Sequence, residues 1–547
     1  MSLDFAIRTW SSSSSGRVAL FSLSDTAPTI TVNGTDYTVG SGLTATSVGT
    51  TGNGVTDSFS TRPVAVYQWL TDAISLSSNS VYQCNAEQDN NTRTFELRTQ
   101  LSTTDTDKFT LFFVSCDGYQ SGSSDIGCWD YISTTAQNNN VKGIVHIDDH
   151  GYTDNLTVPN SETIYAIVSG SGRALNNDED YSFAVCYASY LGLVDNNPVG
   201  SRFSNLDGRV WSMTNLPFFC GVGDHEMVDN FGFEDNTISA TQISNARRIF
   251  LNTIGAAQVD SYVGDTTGHL ATRNNIGPVE LLTVDRCFGL NAGEKIWATS
   301  NPGDPDPAQD NTKLGYRILG STQITELLAS VDSTSQFKIV SLPLGSRFLM
   351  TKAQRVAAFS EAFPWKTPYL GAQQPLHEYT ETGGVETGGD SEWLELYQLI
   401  SSGSLSTKET DSYNPVIVTI HGDTHRPDVR YHYWPASLTK AKLSMYEIST
   451  GSVNGAPMQG LHTSLIQYYQ NNGQTLNWLP DFTSRRRVDS DPASYESTCV
   501  QVDFEYVNDK WKMEVKIIHN NEQIHSVIMY SDKDNAPSYL RNMTFSA

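Results

Sequence analysis

Five apolar runs stop in chain order, four of them at residue types that bind metals or move protons. Phe109–Val114 leads into Ser115-Cys116-Asp117, and Gly143–Ile147 into Asp148-Asp149-His150-Gly151-Tyr152. Leu216–Gly221 leads into Gly223-Asp224-His225-Glu226, Phe337–Leu342 into Pro343, and Val416–Ile420 into His421-Gly422-Asp423-Thr424-His425. Each run is strand-sized, and helix-like segments lie between them, which predicts an α/β layered domain. In open sheets ligands sit beyond the carboxyl ends of the strands, so these loops are expected to meet at one rim.

The chain has 547 residues, more than one small core accommodates, and two domains are expected: a β-rich accessory domain over 1–105 and a second domain over 106–547. The first is rich in Ser, Thr and Gly with short alternating pieces such as Thr29–Val32 and Arg93–Leu97. Within it Pro63 followed by Val66, Trp69, Leu70, Ala73 and Ile74 predicts a helix. In the second, helices are expected around Ile243–Ile254, Ile324–Val331 and Trp393–Ile400. A hairpin is expected where Val500–Tyr506 and Trp511–Ile517 alternate about Asn508-Asp509. The stretches 303–312 and 380–390 read as insertions or lids.

Sixty acids against 35 bases leave a net charge of −25, which disfavours nucleic-acid binding through a basic patch and suits bound cations. No apolar run reaches the ~18 residues of a membrane-spanning helix, so no transmembrane anchor is expected. Met1–Ser15 carries no signal-peptide core. A mature chain with its signal removed, a cytoplasmic protein and a component of a virus particle all stay open, with an extracellular or virion-associated protein the favoured reading. Seven cysteines without C-x-x-C spacing indicate neither a zinc ribbon nor a disulfide scaffold.

Cys116, Asp149, Tyr152 and His425 offer thiolate, carboxylate, phenolate and imidazole, a donor set suited to a ferric ion. Asp224 and Asp423, with Asp149 as a bridge, make an oxygen-rich second position for Ca²⁺ or another divalent ion such as Mn²⁺ or Zn²⁺. Two such ions can clamp a phosphoryl group and generate hydroxide for in-line attack. His225 would serve as general acid beside the ligand Asp224, and Glu226 would orient or neutralise that imidazole. Taken singly, a buried Cys, an Asp after a strand or a core Tyr is ordinary structure; the conjunction at successive strand ends is what points to a site. No Gly-x-Ser-x-Gly elbow, P-loop signature or His-Glu-x-x-His pair offers another chemistry.

From about residue 105 to 545 the chain resembles the PhoD-like alkaline phosphatases and phosphodiesterases of the calcineurin-like metallophosphoesterase superfamily. Ser115-Cys116, with Trp129 and Tyr131 beyond it, matches the family's Ser-Cys after the first core strand. Asp149 and Tyr152 match the Asp and final Tyr of its Gly-Asp-Tyr-Ile-Tyr motif, Asp224-His225-Glu226 its Asp-Asp-His-Glu, and Gly422-Asp423 with His425 its Ser-Gly-Asp-Val-His. Asp148, Gly223 and His421 depart from the pattern, and Ser341-Leu342-Pro343 stands where related enzymes carry a histidine. The resemblance implies a two-sheet sandwich flanked by helices, an N-terminal β-sandwich and hydrolysis of phosphomonoesters or phosphodiesters. The alternative is a virion or surface attachment protein that keeps the fold with weak or no activity.

Overall fold

The computed structural model describes residues 3–48, 66–117, 127–150, 190–193, 207–223, 225–226, 240–264, 266, 268–285, 287–288, 323, 325–326, 329, 335–342, 416–422, 427–432, 445–453, 497–519 and 521–531. These are mostly strand, with few helices.

The first nine strands are β1 (Phe5–Ser11), β2 (Ser15–Ser22), β3 (Thr29–Val32), β4 (Thr35–Val39), β5 (Gly42–Ser47), β6 (Tyr67–Thr71), β7 (Ile74–Ser75), β8 (Val81–Gln88) and β9 (Asn91–Arg98). They form one sheet in the order β1-β2-β6-β5-β4-β3-β8-β9, with β7 on β2. Period-two alternation divides their side chains between two cores. Phe5, Ile7, Val18, Leu20 and Trp69 pack with Ile30, Phe95 and Leu97 in a core of this sheet's own. Ala6, Trp10, Ala19 and Phe21 point the other way, into the core of the remaining chain.

The helix expected from Pro63 onward is therefore corrected where described: Tyr67–Thr71 is β6, pairing antiparallel with β2 and β5. Trp69 lies opposite Leu20 on one neighbour and Ala45 on the other, and Gln68 and Thr71 are buried too, so no polar helix face exists. Non-local strand pairing overrides the local spacing.

A second sheet contains β10 (Phe109–Val114), β11 (Val141–His146), β12 (Phe218–Cys220), β19 (Thr498–Val507), β20 (Lys510–His519) and β21 (Glu522–Tyr530), ordered β12-β11-β10-β19-β20-β21. The third contains β13 (Thr272–Ile276), β14 (Val279–Thr283), β15 (Phe337–Leu342), β16 (Val416–His421), β17 (Pro427–His432) and β18 (Met445–Thr450), ordered β13-β14-β15-β16-β18-β17. In the second sheet β10, β11 and β12 run parallel, and in the third β14, β15, β16 and β18 do. All six residues of β10 and of β11 are buried, as befits central strands covered on both faces. The hairpin expected near the C-terminus is β19–β20. Both sheets contribute to one hydrophobic core, and Phe337 of the third meets Phe504 of the second edge-on at 5.7 Å.

Helix α1 (Gly127–Asn138) buries Cys128, Trp129, Ile132 and Ala136, and α2 (Asp207–Asn215) packs against it. Helix α3 (Ala240–Leu251) occupies part of the segment expected to be helical around Ile243–Ile254. Most of the expected Ile324–Val331 helix, all of Trp393–Ile400 and both insertion stretches lie outside the described residues. Among the described residues no helix is long and apolar enough to cross a membrane.

The N-terminal sheet is tied to the second and third sheets and their helices by polar contacts as well as by its apolar face. Arg8 donates to Met213 O, Trp10 Nε1 to Asn274 Oδ1 at 2.9 Å, Gln100 Nε2 to Lys142 O, and Lys142 Nζ to Thr99 O. The geometry is that of a continuous body across this junction.

Candidate metal centre

Backbone bonds align the parallel strand ends. Ile147 N donates to Val114 O, Gly221 N to His146 O, Val222 N to Val284 O, and Val453 N, past β18, to Ser115 O. The segments leaving β10, β11, β12, β14 and β18 are thereby held together on one rim.

Just past β10 and β11, Cys116 and Asp149 adopt left-handed backbone conformations, with φ of 53° and 55°. Side chains other than Gly, Asn and Asp rarely sit there, and such conformations cluster at sites where surrounding structure over-determines them. The result is to turn the two side chains toward each other: Cys116 Sγ lies 3.4 Å from Asp149 Oδ2. Ser115 Oγ flanks the sulfur at 3.3 Å, and Ser452 Oγ donates to Cys116 O. Donor atoms of Cys116, Asp148 and Asp149 all fall within 4.8 Å of one another, and all three residues are fully buried.

Two glycines permit the approach of other strand ends. A Cβ at Gly223, past β12, would stand 2.6 Å from Asp148 Cβ and 2.7 Å from Asp149 Oδ1. One at Gly422, past β16, would fall on the Asp148 carboxylate. The third sheet thus meets the second at Asp148.

Glu226 closes the underside of this loop cluster. Its Oε2 accepts from Gly223 N at 2.6 Å and Asp149 N at 3.2 Å, and its Oε1 accepts from His150 N at 2.7 Å and faces His150 Nδ1 at 3.1 Å. Burial pushes the acid up, but the facing His150 and these N–H groups hold it below the usual carboxylate range. Sequence adjacency suggests that Glu226 orients or neutralises His225; the structure turns its carboxylate to His150. The His150 ring stacks on His146 at 4.1 Å and meets Tyr190 and Phe250 edge-on. Burial, and then His150, hold His146 well below the ordinary histidine range.

Behind Cys116, Asp117 takes Arg209 Nε at 2.7 Å and Trp129 Nε1 at 3.3 Å. Burial raises its pKa and Arg209 opposes the rise. At the end of β14, Asp285 accepts from the backbone N–H groups of Leu270, Cys287 and Phe288, while burial raises it to about 6.

The structure brings Cys116 and Asp149 together and adds Asp148, which sequence reasoning noted only as a departure from a motif. Its signal was a second carboxylate at the strand end beside the first. His225 is buried in the turn past β12. Tyr152, Asp224, Asp423 and His425 lie outside the described residues, although Gly422 places the backbone just before Asp423 against Asp148.

Two carboxylates and a thiol this close repel one another once ionised, and a cation among them relieves that repulsion. Thiolate with carboxylates is a donor set that binds transition metals, so the residues present fit a metal ion.

No family model matches the chain, and no curated protein does. Among solved structures, a purple acid phosphatase from yellow lupin (Lupinus luteus) seeds aligns with a TM-score of 0.51 at 9% identity, covering 96% of this chain and 74% of that one. That likeness shows a shared fold. A carbohydrate acetylesterase from Xanthomonas citri aligns with a TM-score of 0.12 at 9% identity, over 49% of this chain and 79% of that one, too low a score to bear on fold or function.

Proposed function

We propose that the chain is a metal-dependent phosphoesterase, of the PhoD-like kind suggested by its motifs. The observation that carries this is a buried Cys116–Asp148–Asp149 group at the strand rim of a fold shared with a purple acid phosphatase. In this reading the second and third sheets form the family's helix-flanked sandwich, and residues 1–105 form an accessory β domain.

Cys116 and Asp149, with Tyr152 and His425, would hold a ferric-type ion, and Asp149, Asp224 and Asp423 would hold a second, Ca²⁺, Mn²⁺ or Zn²⁺. Asp148 is an added carboxylate at this centre. When bound, such ions polarise a phosphoryl oxygen and acidify water. The chain's own residues supply the rest. Left-handed backbone at Cys116 and Asp149 fixes the donors, the buried cluster around His146, His150 and Tyr190 excludes water from beneath, and His225 gives a proton to the leaving oxygen. The substrate is a phosphate ester, monoester or diester, and an extracellular or virion-borne location suits the acidic surface.

The test is hydrolysis of p-nitrophenyl phosphate and bis-p-nitrophenyl phosphate by full-length protein with iron and calcium supplied, before and after chelation. Turnover that disappears on chelation and returns with metal is expected. Undiminished turnover by metal-free protein, or none across a pH range of about 6–10, refutes the proposal.

A further inference from the structure

Two carboxylate oxygens of one buried side chain take three backbone N–H donors from two different strand ends and face a ring nitrogen besides. Gly223 lies past β12; Asp149 and His150 lie past β11; Glu226 accepts from the N–H of all three and faces His150 Nδ1 as well. A carboxylate has about four lone-pair sites, so three N–H donors and a facing ring nitrogen leave this one little capacity for an ion or a substrate. Its position therefore speaks for support rather than chemistry.

What it supports is a strained residue. Asp149 sits at φ 55°, a left-handed conformation that Asp tolerates better than most residues but that its surroundings must still hold. Glu226 takes the Asp149 N–H and, one residue on, the His150 N–H, so it fixes the peptide planes on both sides of the Asp149 Cα. On the other flank, Cys116 N approaches Asp148 O at 3.4 Å, a longer contact. His150 is in turn held by its ring neighbours His146, Tyr190 and Phe250.

We infer that Glu226 is a positioning residue of the metal centre, holding Asp149 in the left-handed conformation that turns its carboxylate toward Cys116 and Asp148. This role rests on the metal-centre reading above but not on the reaction assigned to it. Groups that orient metal ligands typically change metal affinity about 10–100-fold when removed.

The experiment uses full-length protein stripped by chelation and titrated calorimetrically with Zn²⁺, beside urea unfolding of the same samples. Glu226→Gln keeps the shape but puts an NH₂ against at least one N–H donor; Glu226→Asp keeps the charge but is too short to span both loops. Both are expected to bind Zn²⁺ about 10–100-fold more weakly while still unfolding cooperatively. In the stripped wild type, hydrogen exchange of the Val145–His150 peptide is expected to be slow, and faster in either variant. The wild-type half of that measurement stands even if a variant fails to fold.

Variants that bind Zn²⁺ like the wild type, or lose binding only in proportion to their unfolded fraction, overturn the inference. So does fast exchange of that peptide in the stripped wild type, or a wild type that binds no Zn²⁺. Weakened binding in both variants of a protein that hydrolyses no phosphate ester removes the proposed reaction and leaves the role of Glu226 standing.

Discussion

Replacing Gly422 by Ala tests whether β16 and β11 meet closely enough to share one site. The added Cβ would stand 2.6 Å from Asp148 Cγ and closer still to its oxygens, where ordinary contact begins at 3.4 Å. The two rims must then separate by more than about 0.8 Å, the difference between those two distances, since the oxygens lie closer still, or the Asp148 side chain must leave its place. Inserting a methyl into a packed site costs about 1–3 kcal/mol of stability. A displacement near 1 Å at a catalytic centre costs on the order of 10²-fold in rate. Gly16→Ala is the control: its Cβ would press at 3.1 Å on the ends of Leu76 and Leu97, flexible side chains in the N-terminal sheet. Unfolding midpoints, Zn²⁺ affinity and p-nitrophenyl phosphate turnover should all fall for Gly422→Ala, whereas Gly16→Ala should lose only a little stability. Wild-type affinity and turnover in Gly422→Ala would refute the convergence of these strand ends.

Buried charge gives two further expected outcomes. Arg209→Met leaves Asp117 ionisable and unpaired in a fully buried position behind Cys116, and should cost about 3–5 kcal/mol in urea unfolding, with Arg209→Met/Asp117→Leu recovering part of it. Lys142, buried among Arg98 and Thr99, has its pKa lowered by burial from 10.5 to about 8. A base with a depressed folded pKa favours the native state above its unfolded value and loses that contribution as pH falls through the folded one. The unfolding midpoint of the wild type relative to Lys142→Met should therefore decline as pH is lowered from 10.5 to about 8; an unchanged difference over that window would show that the ammonium is not desolvated.

Much of the scaffold was legible because its central strands are covered on both faces. β10 and β16 read as mostly apolar runs for that reason, and β15 as one broken by Lys338 and Ser341, and their order along the chain already implied a shared rim. The β19–β20 hairpin was legible from alternation about Asn508-Asp509, both of which adopt positive φ. The Tyr67–Thr71 strand was not. Its apolar spacing suits a helix equally well, and its partners are β2 and β5, brought to it only by the fold. At the site, Cys116 and Asp149 could be named from residue type and place. Their left-handed backbones could not: a cysteine gives no sign of positive φ, and Asp only tolerates it, whereas a Gly would have signalled it. The partner of Glu226 was misassigned because sequence adjacency favours His225, while the turn past β12 carries the carboxylate back beneath β11 to His150.

A metal ion held between Cys116, Asp148 and Asp149 is the central claim, and elemental analysis of full-length protein purified without chelator measures it directly when set beside the Asp148→Asn/Asp149→Asn variant. Bound transition metal is expected in the wild type, with its loss in a variant that still unfolds cooperatively. Metal-free wild type, or equal metal in both proteins, would contradict the claim.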